Sequence, residues 1–228
     1  MFRVGIAGEI VLMDPFRLCL ALGPVAVYLL LLGGIHLARR PFVASGTRDT
    51  AALGLAVAGL VAVGPVELFF PHAAAAYFGA FVWVFLMAFY ALCLVLLLLL
   101  LRPRVVIYNV STDELRPIVA DLVPQLDADA RWAGDGLVLP SLGVQLHLDS
   151  LPAMRNVSLM SAGANQNHLG WRRLETALAR ALSQVSVTRN PRAAGLVCAG
   201  VLIVAVMILV IARDPQAVAQ ALFDMLRL

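Results

Sequence analysis

Four predominantly apolar stretches, residues 16–37, 51–70, 73–101 and 193–212, constrain this chain more than anything else in it. Each reaches or exceeds the roughly 18 apolar residues that mark a helix able to cross a hydrocarbon core about 30 Å thick. A backbone in that medium has to satisfy its own N–H and C=O groups, so each stretch predicts a spanning α-helix. Composition agrees: 61% of the 228 residues are hydrophobic and 14% charged, where soluble domains carry about 25% charged residues. Disordered, collagenous and disulfide-stapled classes are excluded. Outside the runs, residues 103–192 form one block of a size that suits a single small domain.

Charge and cysteine content narrow the partners. All 17 basic residues are arginine and they are scattered, so no Lys/Arg block marks a nucleic-acid or polyanion site and no nucleic-acid partner is expected. Cys19, Cys93 and Cys198 lie inside apolar runs. They make no C-x-x-C pattern and imply no disulfide, metal site or cofactor.

Asp14-Pro15 opens the first span with a capping residue followed by proline, and Arg39-Arg40 closes it. Its length exceeds the apolar region of a cleaved signal peptide, so a permanent anchor is expected, preceded by an interfacial segment at residues 1–15. Only Pro71-His72 separates the second run from the third, so the two form an antiparallel hairpin. The run 73–101 is longer than a bilayer needs and is expected to tilt or to project as a stalk, with the leucine-rich tail 94–101 facing lipid. Residues 215–228 read as a short amphipathic helix along the membrane surface, with Val218, Leu222, Met225 and Leu226 on one side. Arg39, Arg40, Arg48, Arg102, Arg104, Arg189 and Arg192 flank one side of the spans, against Arg3, Arg17, Arg213 and Arg227 on the other. That bias expects the 103–192 domain in the cytoplasm and both termini outside, in a bacterial inner membrane.

Within 103–192 the hydrophobic period changes. Residues 104–110 read as a β-branched central strand; Ser111-Thr-Asp-Glu114 is a capping box leading a helix through Leu126, which Pro117 should shorten or bend. Short strands follow at 130–133, 137–139, 144–149 and 154–160, the first two joined by Gly134-Asp-Gly136. A closing helix carries the apolar stripe Trp171, Leu174, Leu178, Leu182 and Val185. The expected fold class is therefore an α+β membrane protein: four transmembrane helices with a βαββββα domain, an antiparallel sheet covered on one face, inserted between the third and fourth spans.

Candidate chemistry is thin. Glu67 is the one carboxylate in the four runs, and an intramembrane acid is costly enough to suggest a proton or cation role. Its place near the outer interface equally suits a carboxylate paired with His72 or Arg17, while His36 at the inner end reads as an interfacial anchor. Gly54, Ala58 and Ala62 recur every four residues, as do Gly195 and Ala199; such faces let helices pack within a chain or support self-association. His147 and Asp149 alternate onto one sheet face, where acid–base work or half a metal site is conceivable beside the plainer reading of a solvated surface. The loop holding Asn165 and His168 leads into a helix start with Arg172 and Arg173 nearby, an arrangement for an anion or merely for capping by Asn165 or Asn167. No nucleophile motif or glycine-rich phosphate loop accompanies them.

Three functions fit these letters. The first is a non-catalytic membrane-anchored interaction or assembly module acting through its cytoplasmic domain on a membrane or cytoplasmic protein. The second is a homo-oligomeric transporter or channel subunit using Glu67. The third is a membrane-tethered ligand sensor or enzyme using His147 and Asp149.

Overall fold

The computed structural model describes residues 15–66, 68–69, 71–79, 81–164, 166–188, 190–213 and 215–227. Among the described residues four helices are long and apolar enough to span a bilayer: Pro15–Leu37, Gly46–Val66, Phe81–Leu100 and Ala193–Arg213. This is the make-up of a multi-pass membrane protein. The first is α1, and after a four-residue bend it is followed by a strand, β1 (Phe42–Ser45).

The second span starts earlier than its apolar run because Ser45 caps it. The Ser45 hydroxyl accepts from the Arg48 N–H at 3.4 Å, so α2 (Gly46–Val61) carries Arg48 and Asp49 in its first turn. Glu67 is therefore not the only acid associated with the spans. At the far end α2 passes into a π-helical turn, Ala62–Val66, that contains Pro65, whose missing N–H prevents the regular i→i−4 pattern. The expected single helix over 73–101 is instead two, α3 (His72–Phe78) and α4 (Phe81–Leu100). Gly79 ends α3 at φ 54°, the left-handed conformation that closes helices and that glycine adopts without a Cβ penalty. Phe78 and Phe85 pack edge-on at 5.9 Å across this break.

The α+β unit contains β2 (Arg104–Tyr108), α5 (Thr112–Leu126), β3 (Arg131–Ala133), β4 (Gly136–Leu139), β5 (Val144–Leu151), β6 (Asn156–Ser161) and α6 (His168–Ser183); α7 (Ala193–Arg213) and α8 (Pro215–Arg227) follow. The strands make one antiparallel six-stranded sheet in the order β1-β2-β6-β5-β4-β3. The class is α+β as expected, but the sheet is not built from 103–192 alone. Its β1 edge comes from the connection between the first two spans, pairing Phe42 with Tyr108 and Ser45 with Val105.

Period-2 alternation sends Val144, Leu146 and Leu148 to one face, where they meet Leu115, Val119 and Val123 of α5 and Trp171, Leu174, Leu178 and Leu182 of α6. Both helices cover this face. The α5 capping box forms as read, and the helix runs past Pro117 to Leu126 without being cut short. On the opposite face Ala44, Val106 and Tyr108 are buried against Leu32 and Ile35 of α1. The sheet is thus clamped between its own helices and the end of the first span.

Close helix contacts depend on glycine. A Cβ at Gly54 would stand 2.6 Å from the Leu94 side chain of α4, one at Gly33 2.6 Å from Val197 of α7, and one at Gly200 2.8 Å from Leu30 of α1. The Tyr90 hydroxyl donates to the Gly54 carbonyl at 2.6 Å. The Gly54 face is therefore occupied within the chain, and Leu94 packs on it instead of facing lipid. Ala62 is buried, Ala58 partly so, while Gly195 and Ala199 are exposed.

Candidate functional site

Polar side chains gather where the spans enter the sheet. His36, in the last turn of α1, is fully buried. Its Nδ1 lies 2.8 Å from the Leu32 carbonyl, which can only accept, so Nδ1 carries the proton and Nε2 is left as an acceptor. The Asn156 amide at the start of β6 stands 2.9 Å away. With its nitrogen toward the ring it donates to Nε2 and reaches the Met154 and Arg155 carbonyls at 3.3 and 3.2 Å.

Two other asparagines close the same junction. Buried Asn109, at φ 62° just after β2, donates to the Ala38 carbonyl at 2.6 Å. Asn190, also buried, donates to Met154 O at 3.1 Å and accepts from the Arg192 N–H at 3.1 Å. Backbone bonds from Val187 N to Arg39 O and from Asn190 N to His36 O bind the connection before α7 to the end of α1. Each of these side chains has at least one partner, and the partners belong to different segments, while Asn109 Oδ1 stays buried without one. The network fastens the domain to the bundle.

A charged cluster extends it under α2. The Arg104 side chain crosses Gly46, where a Cβ would sit 2.0 Å from its Cγ. Its guanidinium donates to Asp49 at 2.9 Å and to the Thr50 hydroxyl at 3.1 Å. The Tyr108 hydroxyl donates to the other Asp49 oxygen. Burial, then the bond to Asp49 and that carboxylate's charge, push the Tyr108 phenol well above its ordinary range, so it remains a protonated donor. The helix N-terminus adds a favourable field for the acid.

A second clamp lies on the domain side. Arg155, at φ 53°, donates to both Glu114 oxygens at 2.7 Å and to the Thr188 hydroxyl at 2.6 Å. Burial raises the Glu114 carboxyl, but the Ser111 N–H and the Arg155 guanidinium outweigh it and hold the group below its usual range. One residue thus ties the α5 N-terminus to the segment leading into α7.

The residues singled out from sequence do not converge. His147 and Asp149 are exposed on the sheet face turned away from α5 and α6, opposite Met160 and Ser158. His168, Arg172 and Arg173 are exposed on α6, across the sheet. Asn165 and Glu67 lie outside the described residues; His72 begins α3. Asn167 caps α6, its side chain accepting from the Leu169 and Gly170 N–H groups at 2.9 and 3.4 Å. Those donors are the ones an anion at this helix start would need.

Arg172 and Arg173 nonetheless border a concave surface. Two adjoining hollows of about 510 and 520 Å³ run along the outer seam between α5 and α6, sharing Leu126, Ala177 and Arg180. Ile118 and Leu122 supply more of the apolar floor, and Leu169 at one end is 67% exposed. Arg172, Arg173 and Arg180 face a single acid, Asp121, along its length. Among the described residues no group of three or more His, Cys, Asp or Glu side chains is placed to hold a metal ion.

No protein-family model, curated protein or solved structure matches the chain.

Proposed function

We propose that the chain is a non-catalytic membrane-anchored assembly module whose α+β domain lies in the cytoplasm and holds a protein partner along the α5–α6 seam. The observation that carries this reading is the seam itself, an apolar floor edged by three arginines against one aspartate on the side of the domain away from the span contacts. That pattern suits an amphipathic acidic segment, its apolar side on Leu122, Leu126 and Leu169 and its carboxylates on Arg172, Arg173 and Arg180. The buried junction supports it too, because a partner held on a fastened domain is held at a fixed place relative to the membrane. Self-association through Gly54 has less support, since Leu94 and Tyr90 already fill that face.

A photo-crosslinking residue at Thr176, in the full-length protein in its own membrane, tests the assignment. The expected result is one adduct of defined mass with a second protein carrying an acidic amphipathic segment. The combined variant Arg172→Glu, Arg173→Glu, Arg180→Glu should reduce its yield at least about tenfold, as expected when several rim charges are reversed. Adducts with lipid alone, with a second copy of this chain, or of unchanged yield in the triple variant would overturn the reading.

Orientation is tested separately. In a chain lacking Cys19, Cys93 and Cys198, Asp135→Cys at the β3–β4 turn should react with an impermeant thiol reagent only after the membrane is opened. Labelling of intact cells would place the domain outside and reverse the topology inferred from the arginine bias.

A further inference from the structure

Between the last turns of α1, the first turn of α2 and β1 lies a cavity of about 260 Å³ that the assembly reading does not use. Its walls are mainly apolar and include Leu31, Phe42 and Ala52; its polar end is formed by Asp49 and Tyr108, with Arg48 at the rim. Leu31 is 64% and Phe42 48% exposed, so the apolar side opens on the outside of the helix bundle. It lies where the span α1 ends and the span Gly46–Val66 begins, the level at which helices of this length would meet the membrane interface.

Electrostatics select what enters. Arg104 neutralises Asp49 at 2.9 Å, and Tyr108 occupies the second carboxylate oxygen. The net charge at the mouth is therefore Arg48, whose side chain is 81% exposed and whose ion-pair partner among the described residues, Glu175, stands at 4.0 Å. An exposed pair at that distance is weak and readily yields to a phosphate. The volume is below the roughly 300–1,000 Å³ of pockets for drug-sized ligands, so it excludes a two-tailed lipid as a whole and suits the headgroup-proximal part of a single chain. We infer that this cavity takes the headgroup-proximal part of one acyl chain of an anionic phospholipid, with the lipid phosphate on Arg48 and the second chain left in the bilayer.

The test is native mass spectrometry of the full chain equilibrated in detergent micelles with equal amounts of phosphatidylglycerol and phosphatidylcholine. The wild type should retain one phosphatidylglycerol per chain, favoured over phosphatidylcholine about fivefold, the preference expected of one interfacial arginine. Arg48→Gln should bring the two lipids to parity. Ala52→Phe, which fills the apolar wall and leaves every charge in place, should remove most of the single-lipid adduct while the melting temperature stays within a few degrees. Absence of a preferred single adduct in the wild type, or a preference that survives Arg48→Gln, overturns the site. Should Ala52→Phe fail to fold, the Arg48→Gln comparison still decides it.

Discussion

Replacing His36 with alanine is expected to destabilise the protein by about 3–4 kcal/mol and to lower its melting temperature in detergent by roughly 10 °C. Two losses combine. The imidazole is fully buried, so its removal leaves a cavity that surrounding backbone fills only in part. The Asn156 amide, 2.9 Å away, loses its acceptor in a place water does not reach easily. The variant His36→Gln keeps a polar end near the Nε2 position and should recover about half of the loss. Asn156→Ala alone should cost less, and the double variant should show a coupling of about 1–2 kcal/mol with His36→Ala, because the two side chains share one bond. Thermal unfolding followed by the fluorescence of Trp171, in a background with Trp83→Phe and Trp132→Phe, reads the domain core directly, since Trp171 is buried there. If His36→Ala left the melting temperature of that signal unchanged, α1 and the sheet would not be energetically coupled.

What the letters conveyed and what they withheld divide along physical lines. Spanning helices were legible because their signal is local: roughly eighteen or more mainly apolar residues in one run need no knowledge of what packs where. The α5 capping box and the alternation in Val144, Leu146 and Leu148 are local as well, and both elements form. By contrast β1 is only Phe-Val-Ala-Ser after a proline, too short to signal a strand without knowing that β2 lies beside it. Gly79 was a readable punctuation mark in the third run, but hydropathy averaged over a window passed across it.

The junction was hidden for another reason. His36, Asn109, Asn156 and Asn190 come from four separate stretches, each ordinary by itself, and only the folded chain sets His36 against Asn156, Asn109 against the Ala38 carbonyl and Asn190 against the Met154 carbonyl. Arg104 could be counted as one more interfacial arginine, and Asp49 as a residue before a span, until Ser45 moved the start of α2 and brought the pair together. A usable signal did exist: three asparagines and a histidine flanking apolar elements are more amide and imidazole than an idle surface requires. The arginines of α6 were visible as a charge cluster, whereas the apolar floor beside them depends on how α5 packs.

Gly59→Val is expected to have the other large effect, disrupting the α1–α2 contact at a cost of at least about 3 kcal/mol, at the upper end for overpacked interiors. A Cβ at Gly59 would stand 1.9 Å from the Leu20 carbonyl oxygen, 3.0 Å from its carbon and 3.2 Å from the Ala21 oxygen. Those atoms are backbone, so no side chain can swing aside; the two helices have to separate. Separation is resisted at the other end, where β1 joins α1 to α2 and pairs with β2, so the strain cannot be relieved by sliding one helix past the other. Gly34→Ala and Gly195→Ala supply the contrast. Neither position has a neighbouring heavy atom within 4 Å of its would-be Cβ, and alanine there should stabilise the helix by about 0.5–1 kcal/mol. Melting temperatures of the three variants in one detergent should therefore move in opposite directions. A Gly59→Val protein as stable as its parent would mean that α1 and α2 do not approach this closely, and with them the bundle on which the sheet is mounted would need to be redrawn.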